Sequence, residues 1–245
     1  MTDFDIRSIF PSDNLPLETK HARLLGLYPQ VQDGLWMHRV KVPGGSLTGG
    51  QWRALAAIAR EFTPRTPLHL TTRQDIEFHD LVESQIGLVQ RRLGAAGLTS
   101  LGSGGDGLRN VTVCPCAPGA AGPDLLDLAR KIQSALEAMD GTFTLPRKFK
   151  IALSCSHSCG QPWINDLGLV AKNVGGLWGF QAVIAGSLGP IPATGVTFAD
   201  FVPAGDCVAL AAAALKVFAA HGDRANRNKA RLRHVRQRMG DQAFL

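Results

Sequence analysis

The sequence lacks an apolar stretch long enough to cross a bilayer, and residues 1 to 7 lack the charged-then-apolar order of a secretion signal. It also contains no internal repeat and no low-complexity tract. We therefore expect a cytoplasmic protein that does not bind a membrane. With 245 residues, of which 45% are hydrophobic and 19% charged, the chain can bury a core and form one large domain or two small ones.

Cysteine is scarce, and its spacing is informative. The five cysteines are an odd number, and closely spaced cysteines in a reducing compartment are more often metal ligands or redox groups than disulfides. Four of them form two tight pairs, Cys114-Pro-Cys116 and Cys155-x3-Cys159. These pairs are candidate metal ligands, with buried apolar thiols as the alternative. Cys207 stands alone at the start of an alanine-rich segment and is predicted to lie in a core.

The sequence also lacks a complete nucleotide-binding motif. Residues 102 to 107 carry the letters Gly-x-Gly-x-x-Gly, but no predicted strand precedes them and no predicted helix follows. A nicotinamide site is therefore not predicted. The same glycine-rich segment is the best candidate for a domain boundary.

The net charge of +6 suits an acidic small molecule, a nucleic acid or an acidic protein partner equally well. Two of the positive charges, Lys148 and Lys150, fall on a predicted strand that leads into the Cys155 loop. Alternation along a strand places Phe149, with Ile151 and Leu153, on the core side and both lysines on the other. Like charges this close cost free energy unless an anion lies between them. The pattern predicts an anion site beside a metal site, with a solvated strand face as the alternative.

The pattern of helices and strands predicts an α+β fold with a mixed or antiparallel sheet. A prolyl-rich arm over residues 1–30 precedes a first module over residues 31–101 and a second over residues 107–245. In the first module, Thr48 and Gln51 form a predicted capping box, a strand runs from Leu68 to Phe78, and a helix covers residues 83–93. In the second module, predicted strands cover residues 109–113, 145–153, 167–171 and 178–185. Predicted helices cover residues 124–140 and 206–221. A basic tail over residues 224–238 is also predicted to be helical.

Five segments, in order along the chain, resemble the siroheme-dependent nitrite and sulfite reductases. They are Thr71 to Gln74, Arg109 to Thr112, Leu145 to Lys150, Asn165 to Gly168 and Arg224 to Arg231. The resemblance implies a ferredoxin-like half domain followed by a domain that binds siroheme and a 4Fe-4S cluster.

The resemblance also implies roles for individual residues. The catalytic anion-binding residues would be Arg73, Arg109, Lys148 and Lys150. The siroheme contacts would be Arg73, Asn110, Arg147, Arg227 and Arg231, and the cluster ligands Cys114, Cys116, Cys155 and Cys159, with Cys159 also bridging to the siroheme iron. The family's first cysteine pair is Cys-x5-Cys, whereas in this chain the residue separated from Cys114 by five others is Ala120. The identity of the fourth cluster ligand is therefore left open.

The activity implied is reduction of nitrite or sulfite with electrons from a partner protein, a ferredoxin or a flavoprotein. Assimilatory members are about twice as long, so the chain would form a homodimer or pair with a complementary half subunit. Two other functions stay open: a precorrin-modifying enzyme of the cobalamin pathway, and a non-catalytic half or carrier that binds siroheme. For the basic tail, binding to nucleic acid is the least favoured of the alternatives.

Overall fold

The computed structural model describes residues 19–116, 122–189 and 191–245. Its first module is an antiparallel sheet in the order β1-β2-β4-β3, covered by helices. The elements are α1 (Thr19–Leu24), β1 (Leu27–Pro29), β2 (Leu35–Val40), α2 (Gly49–Phe62), β3 (His69–Leu70), β4 (Ile76–Val82) and α3 (Glu83–Ala95).

Local sequence signals account for much of this module. The Thr48 hydroxyl accepts a hydrogen bond from the Gln51 backbone N–H, and the Gln51 side chain accepts one from the Thr48 N–H, so the predicted capping box begins α2. The apolar stripe of α2 then packs Leu55 and Ile58 against Phe78 of β4, and all three side chains are buried. The helix predicted over residues 83–93 is present as α3.

The second module is a mixed sheet in the order β5-β6-β7-β8-β9. The pairs β5–β6 and β6–β7 are parallel, whereas β7–β8 and β8–β9 are antiparallel. This mixed sheet confirms the predicted α+β class. The elements are β5 (Thr112–Val113), α4 (Leu125–Glu137), β6 (Ile151–Ser154), β7 (Leu167–Val174), β8 (Leu177–Ile184), β9 (Val196–Pro203), α5 (Cys207–His221), α6 (Leu232–Met239) and α7 (Asp241–Phe244).

Two predicted strands differ from the structure. Residues 68–78 do not form one strand, because β3 ends at Leu70 and a turn precedes β4. Gln74 has φ of 61° in this turn, which lies in the left-handed region, and its N–H donates to the Thr71 carbonyl. Lys148 and Lys150 precede β6 instead of lying within a strand. Phe149, Ile151 and Leu153 are nevertheless buried as predicted.

Two segments, one predicted as an extended arm and one as a domain boundary, are built into the fold. Residues 19–30 contain α1 and β1, of which β1 pairs with β2, and the rest of the predicted arm lies outside the described residues. The glycine-rich segment is tied to the first module, since Gly102 N–H donates to the Leu24 carbonyl. A Cβ on Gly104 would lie 2.0 Å from the Arg23 carbonyl oxygen, so only glycine fits there. Residues 102–107 are thus packed in place and do not form a free linker.

Contrary to the expectation from the sequence, one stretch, Ala204–His221, is long and apolar enough to cross a membrane by length and composition alone. In this fold one face of its helix α5 packs Ala211, Leu215 and Phe218 into the core of the second module, where Phe218 stacks on Phe149 with ring centroids 5.8 Å apart. Core packing accounts for this face, whereas only 28% of the stretch is buried.

The two modules are joined by buried polar contacts. Lys41 is 1% exposed and its Nζ lies 2.5 Å from Glu137 Oε1 of α4. The Gln74 side chain pairs with the Val113 backbone in both directions, donating to its carbonyl at 2.6 Å and accepting from its N–H at 3.0 Å. The Gln74 side chain thus makes the pair of hydrogen bonds with β5 that a residue of a neighbouring strand would make. These bonds hold the turn that contains Arg73 next to Cys114.

Candidate functional site

The cysteine pairs converge at the carboxyl ends of two neighbouring strands. Because β5 and β6 are parallel, the chain leaves both at the same edge of the sheet, where Cys114 follows β5 and Cys155 follows β6. The Sγ atoms of Cys114, Cys155 and Cys159 all lie within 4.8 Å of one another. Cys116 Sγ lies 3.9 Å from Cys159 Sγ. All four predicted cluster ligands therefore meet in one place.

Backbone contacts shape the loop after β6. The Ser154 hydroxyl donates to the Ser156 carbonyl at 2.6 Å and also contacts the Cys159 carbonyl, while Cys155 N–H donates to Cys114 Sγ at 3.1 Å. Gly160 has φ of +65°, and a Cβ there would lie 3.3 Å from Cys114 Cβ. The loop therefore needs a glycine immediately after Cys159 to bring the thiols together.

The thiols also influence each other electrostatically. Burial and the neighbouring thiols of Cys114 and Cys116 raise the pKa of Cys159 to about 12. The pKa of Cys155 is raised by burial and by Cys114. Burial also acts to raise the pKa of Cys114, but hydrogen bonds from Cys155 and Cys159 outweigh it and the net pKa is lowered. A positive centre among these sulfur atoms would favour their thiolate forms.

Two arginines reach the same region from distant parts of the chain. Arg73 donates from Nη1 to Asn165 Oδ1 at 3.0 Å and from Nη2 to the Ile151 carbonyl at 2.7 Å. Arg109 donates to the carbonyls of Ser103 and Gly105, both at 2.7 Å, so the glycine-rich segment holds its guanidinium group. The Nε atoms of both arginines are buried and have no acceptor among the described residues. Each guanidinium group is thus fixed in orientation with its Nε donor unused.

Lys148 and Lys150 complete the cluster of cations. Within the part of the chain that the structure describes, neither ammonium group donates a hydrogen bond or forms an ion pair. Burial lowers the pKa of Lys150 to about 7, and the positive charges of Arg73, Lys148 and Arg231 act in the same direction. Burial, with Arg231 and Arg109, lowers the pKa of Lys148 to about 8. These positive charges therefore lie within electrostatic range of one another.

A buried carboxylate lies under the cations. Asp166 is fully buried, and its Oδ2 accepts from the Lys150 N–H and from Arg231 Nη2, both at 2.8 Å. Asp166 Oδ1 and Arg231 Nε are buried without a partner among the described residues. Asp166 therefore anchors both the lysine segment and Arg231.

The remaining predicted siroheme contacts have partners within the protein. Arg147 and Arg227 both bind Asp106, which balances part of their charge, and the Arg227 side chain is 57% exposed. Asn110 donates to the carbonyls of Val42 at 2.7 Å and Arg73 at 3.0 Å, while its Oδ1 is buried and unpaired among the described residues. Asn110 thus supports the Arg73 turn, and Arg227 is largely exposed.

Three supporting residues were not assigned a role from the sequence. Gln74, Asn165 and Asp166 all fall within the segments that carry the family resemblance. Each has a partner far along the chain: Val113 lies 39 residues from Gln74, Arg231 lies 65 residues from Asp166, and Arg73 lies 92 residues from Asn165. The one signal in the sequence that could have found these three residues was their position next to predicted site residues. The periodicity of apolar residues along the chain could not have shown their contacts.

Comparison with known proteins gives consistent matches over nearly the whole chain. Residues 28–96 match the family described as the nitrite/sulfite reductase ferredoxin-like half domain, and residues 104–245 match the nitrite and sulphite reductase 4Fe-4S domain. The second match alone covers more than half of the chain.

Individual proteins agree with this assignment. The chain is 34% identical over 242 residues to the sulfite reductase [NADPH] hemoprotein beta-component of Acidithiobacillus ferrooxidans, covering 86% of this chain and 43% of that protein. It is 34% identical over 211 residues to the ferredoxin–nitrite reductase of Leptolyngbya laminosa, covering 82% and 41%. The solved structure of the Mycobacterium tuberculosis NirA protein matches with a TM-score of 0.81 and 26% identity, over 98% of this chain and 48% of that one. The chain therefore spans less than half the length of these relatives.

Proposed function

The chain belongs to the nitrite and sulphite reductase family, and from that premise we propose that it binds nitrite or sulfite and takes part in its reduction, alone or as one subunit of an enzyme. The proposal concerns this chain's share of the activity, because the chain covers about two fifths of each relative's length.

The cofactors that the family implies are siroheme and a 4Fe-4S cluster, as predicted from the resemblance, and the residues present fit both. Four thiolates are the usual ligands of such a cluster, and the thiols of Cys114, Cys116, Cys155 and Cys159 meet at the carboxyl ends of β5 and β6. The unused, buried Nε donors of Arg73, Arg109 and Arg231 suit the negative groups of a carboxylate-rich tetrapyrrole or of a bound oxyanion. When bound, these cofactors would relay electrons and supply the iron at which the anion is reduced.

The protein's own part is to hold the anion and to deliver protons. Each oxygen atom that leaves nitrite or sulfite leaves as water and therefore consumes protons. Arg73 and Arg109 have fixed guanidinium groups that orient oxygen atoms by forked hydrogen bonds. Lys150, with a pKa of about 7, is half protonated near neutral pH and so both gives up and regains a proton easily. Lys148, with a pKa of about 8, keeps its positive charge at that pH.

The observation that carries the proposal is that two separate sets of groups lie at the two ends of one short strand, β6. The four thiols lie at the carboxyl ends of β5 and β6, and Arg73 binds the Ile151 carbonyl at the start of the same β6. An isolated metal site would not require unpaired lysines next to it, and an isolated anion site would not require four thiols.

The partners of the reaction follow from the same premise. Electrons would come from a separate reductant protein, a ferredoxin or a flavoprotein. Since the chain is less than half as long as its relatives, a second copy or a complementary half subunit would complete the enzyme.

The test is to produce the protein together with siroheme biosynthesis and measure iron, acid-labile sulfide and the visible spectrum. We expect haem absorbance, a full cluster, and loss of nitrite or sulfite that depends on added reductant. Lys148→Ala should keep both cofactors and lose turnover, with exposed Lys172→Ala as the matched control. A cofactor-loaded protein, tested with candidate half subunits present, that leaves both anions unchanged would refute the enzymatic proposal and favour a carrier of siroheme.

A further inference from the structure

A second group of metal-binding side chains lies on the first module, outside the site described above. His69 on β3 and Glu77 on β4 are direct cross-strand partners, and His79 lies two residues further along the same face of β4. One ligand atom from each of these three residues lies within 4.8 Å of the others. The sheet register, and not a flexible loop, therefore brings them together.

The geometry points to a binding site for a divalent transition-metal ion of the Zn²⁺ class, held by His69, Glu77 and His79. Two imidazoles and one carboxylate suit Zn²⁺, Ni²⁺ or Fe²⁺, whereas Mg²⁺ and Ca²⁺ prefer sites made of oxygen. Nitrogen and oxygen ligands lie about 2.0–2.2 Å from Zn²⁺, so any two of them are at most about 4.4 Å apart. The observed separations are close to that limit, and small side-chain rotations close the remaining gap.

Neighbouring contacts prepare the three ligands. Arg39 holds Glu77 Oε1, with Nε at 2.8 Å and Nη2 at 2.7 Å, and itself lies 5.2 Å from the centroid of the Tyr28 ring. The other carboxylate oxygen, Oε2, is left facing His79 Nε2 at 3.2 Å. The two imidazole rings lie 4.2 Å apart between centroids. A carboxylate fixed through one oxygen, with the second turned towards a histidine pair, is the arrangement by which outer contacts orient metal ligands.

The position of the site gives the bound ion a structural consequence. His69 precedes the turn that carries Arg73, and Glu77 and His79 follow it, so the metal would bridge the two strands at the base of this hairpin. Strand β3 has only two residues and both are exposed, so few protein contacts hold it in place. A metal ion there would reduce the motion of the turn that holds the anion-binding arginine.

The experiment is a calorimetric titration of the purified holoprotein with Zn²⁺, in wild type and in the variants His69→Gln and His79→Gln. Both substitutions keep a polar side chain on a partly or fully exposed face, so the fold should persist. His221→Gln, at the exposed end of α5, is the matched control. We expect each site variant to bind one equivalent less than wild type, or to bind it at least about 10- to 100-fold more weakly, the loss that removal of even an outer partner causes.

The comparison is between variants in the same cofactor state, so binding to the thiols cancels and the result does not depend on nitrite or sulfite reduction. Hydrogen exchange provides the second readout: Zn²⁺ should slow exchange in residues 71–75 of wild type and of His221→Gln, but not of His79→Gln. Equal stoichiometry and affinity in wild type and both site variants would overturn the proposal, and so would Zn²⁺-dependent protection of the turn that survives in His79→Gln.

Discussion

Asp166 is the residue whose replacement tests the architecture of the proposed anion site most directly. It is fully buried, and one of its oxygen atoms binds both Arg231 and the Lys150 backbone at 2.8 Å. Its negative charge also acts to raise the pKa of Arg73, Lys148 and Lys150. The substitution Asp166→Asn keeps the size of the side chain and removes the charge.

The expected loss of stability follows from the burial of the pair. The Arg231 side chain is only 10% exposed, so the variant would leave a buried guanidinium group without a counter-charge. Breaking a buried ion pair from one side costs about 3–5 kcal/mol. Since asparagine still accepts one hydrogen bond, we expect a loss near the lower end, about 3 kcal/mol. For a chain of this size that corresponds to a melting temperature lower by roughly 6–12 °C.

The assay is denaturant and thermal unfolding of the wild type, Asp166→Asn and the control Asp200→Asn. Asp200 is exposed and accepts one hydrogen bond from Gln181 at 3.1 Å, so its replacement should change the free energy of unfolding by less than about 0.5 kcal/mol. Adding Arg231→Met to Asp166→Asn should recover part of the loss, because the uncompensated charge is gone. If Asp166→Asn were as stable as the control, Asp166 would not be the counter-ion that holds these cations together.

Three further predictions address the lysines and the cysteine loop. In the wild type, affinity for the anion should be highest below the Lys150 pKa of about 7 and should fall as pH rises through that value. Lys150→Met should weaken anion binding and abolish this pH dependence. Calorimetry measures both effects. Cys116→Ser should lower the iron content of the cluster while Cys207→Ser, buried in the core, leaves it unchanged; equal iron in both would exclude Cys116 as a ligand. Gly160→Ala places a Cβ 3.3 Å from Cys114 at φ of +65°, and should destabilise the protein by about 1–3 kcal/mol and lower cluster content; wild-type iron and melting temperature would contradict it.

Local signals in the sequence were sufficient for most helices and for several strands. The capping box at Thr48 and the apolar stripe of α2 depend only on residues within a few positions, and they are present as predicted. Strand β9 was not predicted, because apolar and polar residues do not alternate clearly in its sequence. The apolar Phe198 and the charged Asp200 both lie on its exposed side. The break between β3 and β4 was also missed, since nothing in the sequence marks Gln74 as a residue with positive φ.

The site depends on contacts that no local pattern encodes. Arg73 binds Asn165 and Ile151, which lie 92 and 78 residues away. The alternation of side chains along a predicted strand placed Lys148 and Lys150 on one side of it, but no strand is present at those positions. The segment that leads into β6 sets the environment that the two lysines share. The family resemblance supplied the grouping of residues, whereas the roles of Asp166 and Gln74 required the three-dimensional contacts.

The cation cluster is held together against its own repulsion, and this explains why so many buried groups around it are only partly paired. Burial and like charge lower the pKa of both lysines, so keeping them charged costs folding free energy. Three guanidinium Nε atoms are also buried without acceptors among the described residues, which costs folding free energy as well. Such an arrangement persists because Asp166, Asn165 and the carbonyls of the glycine-rich segment fix the side chains in orientation before any ligand is bound. Under the proposed function, an anion or a carboxylate-rich cofactor would gain donors that need no rearrangement, so part of this folding cost would be recovered as affinity at the site.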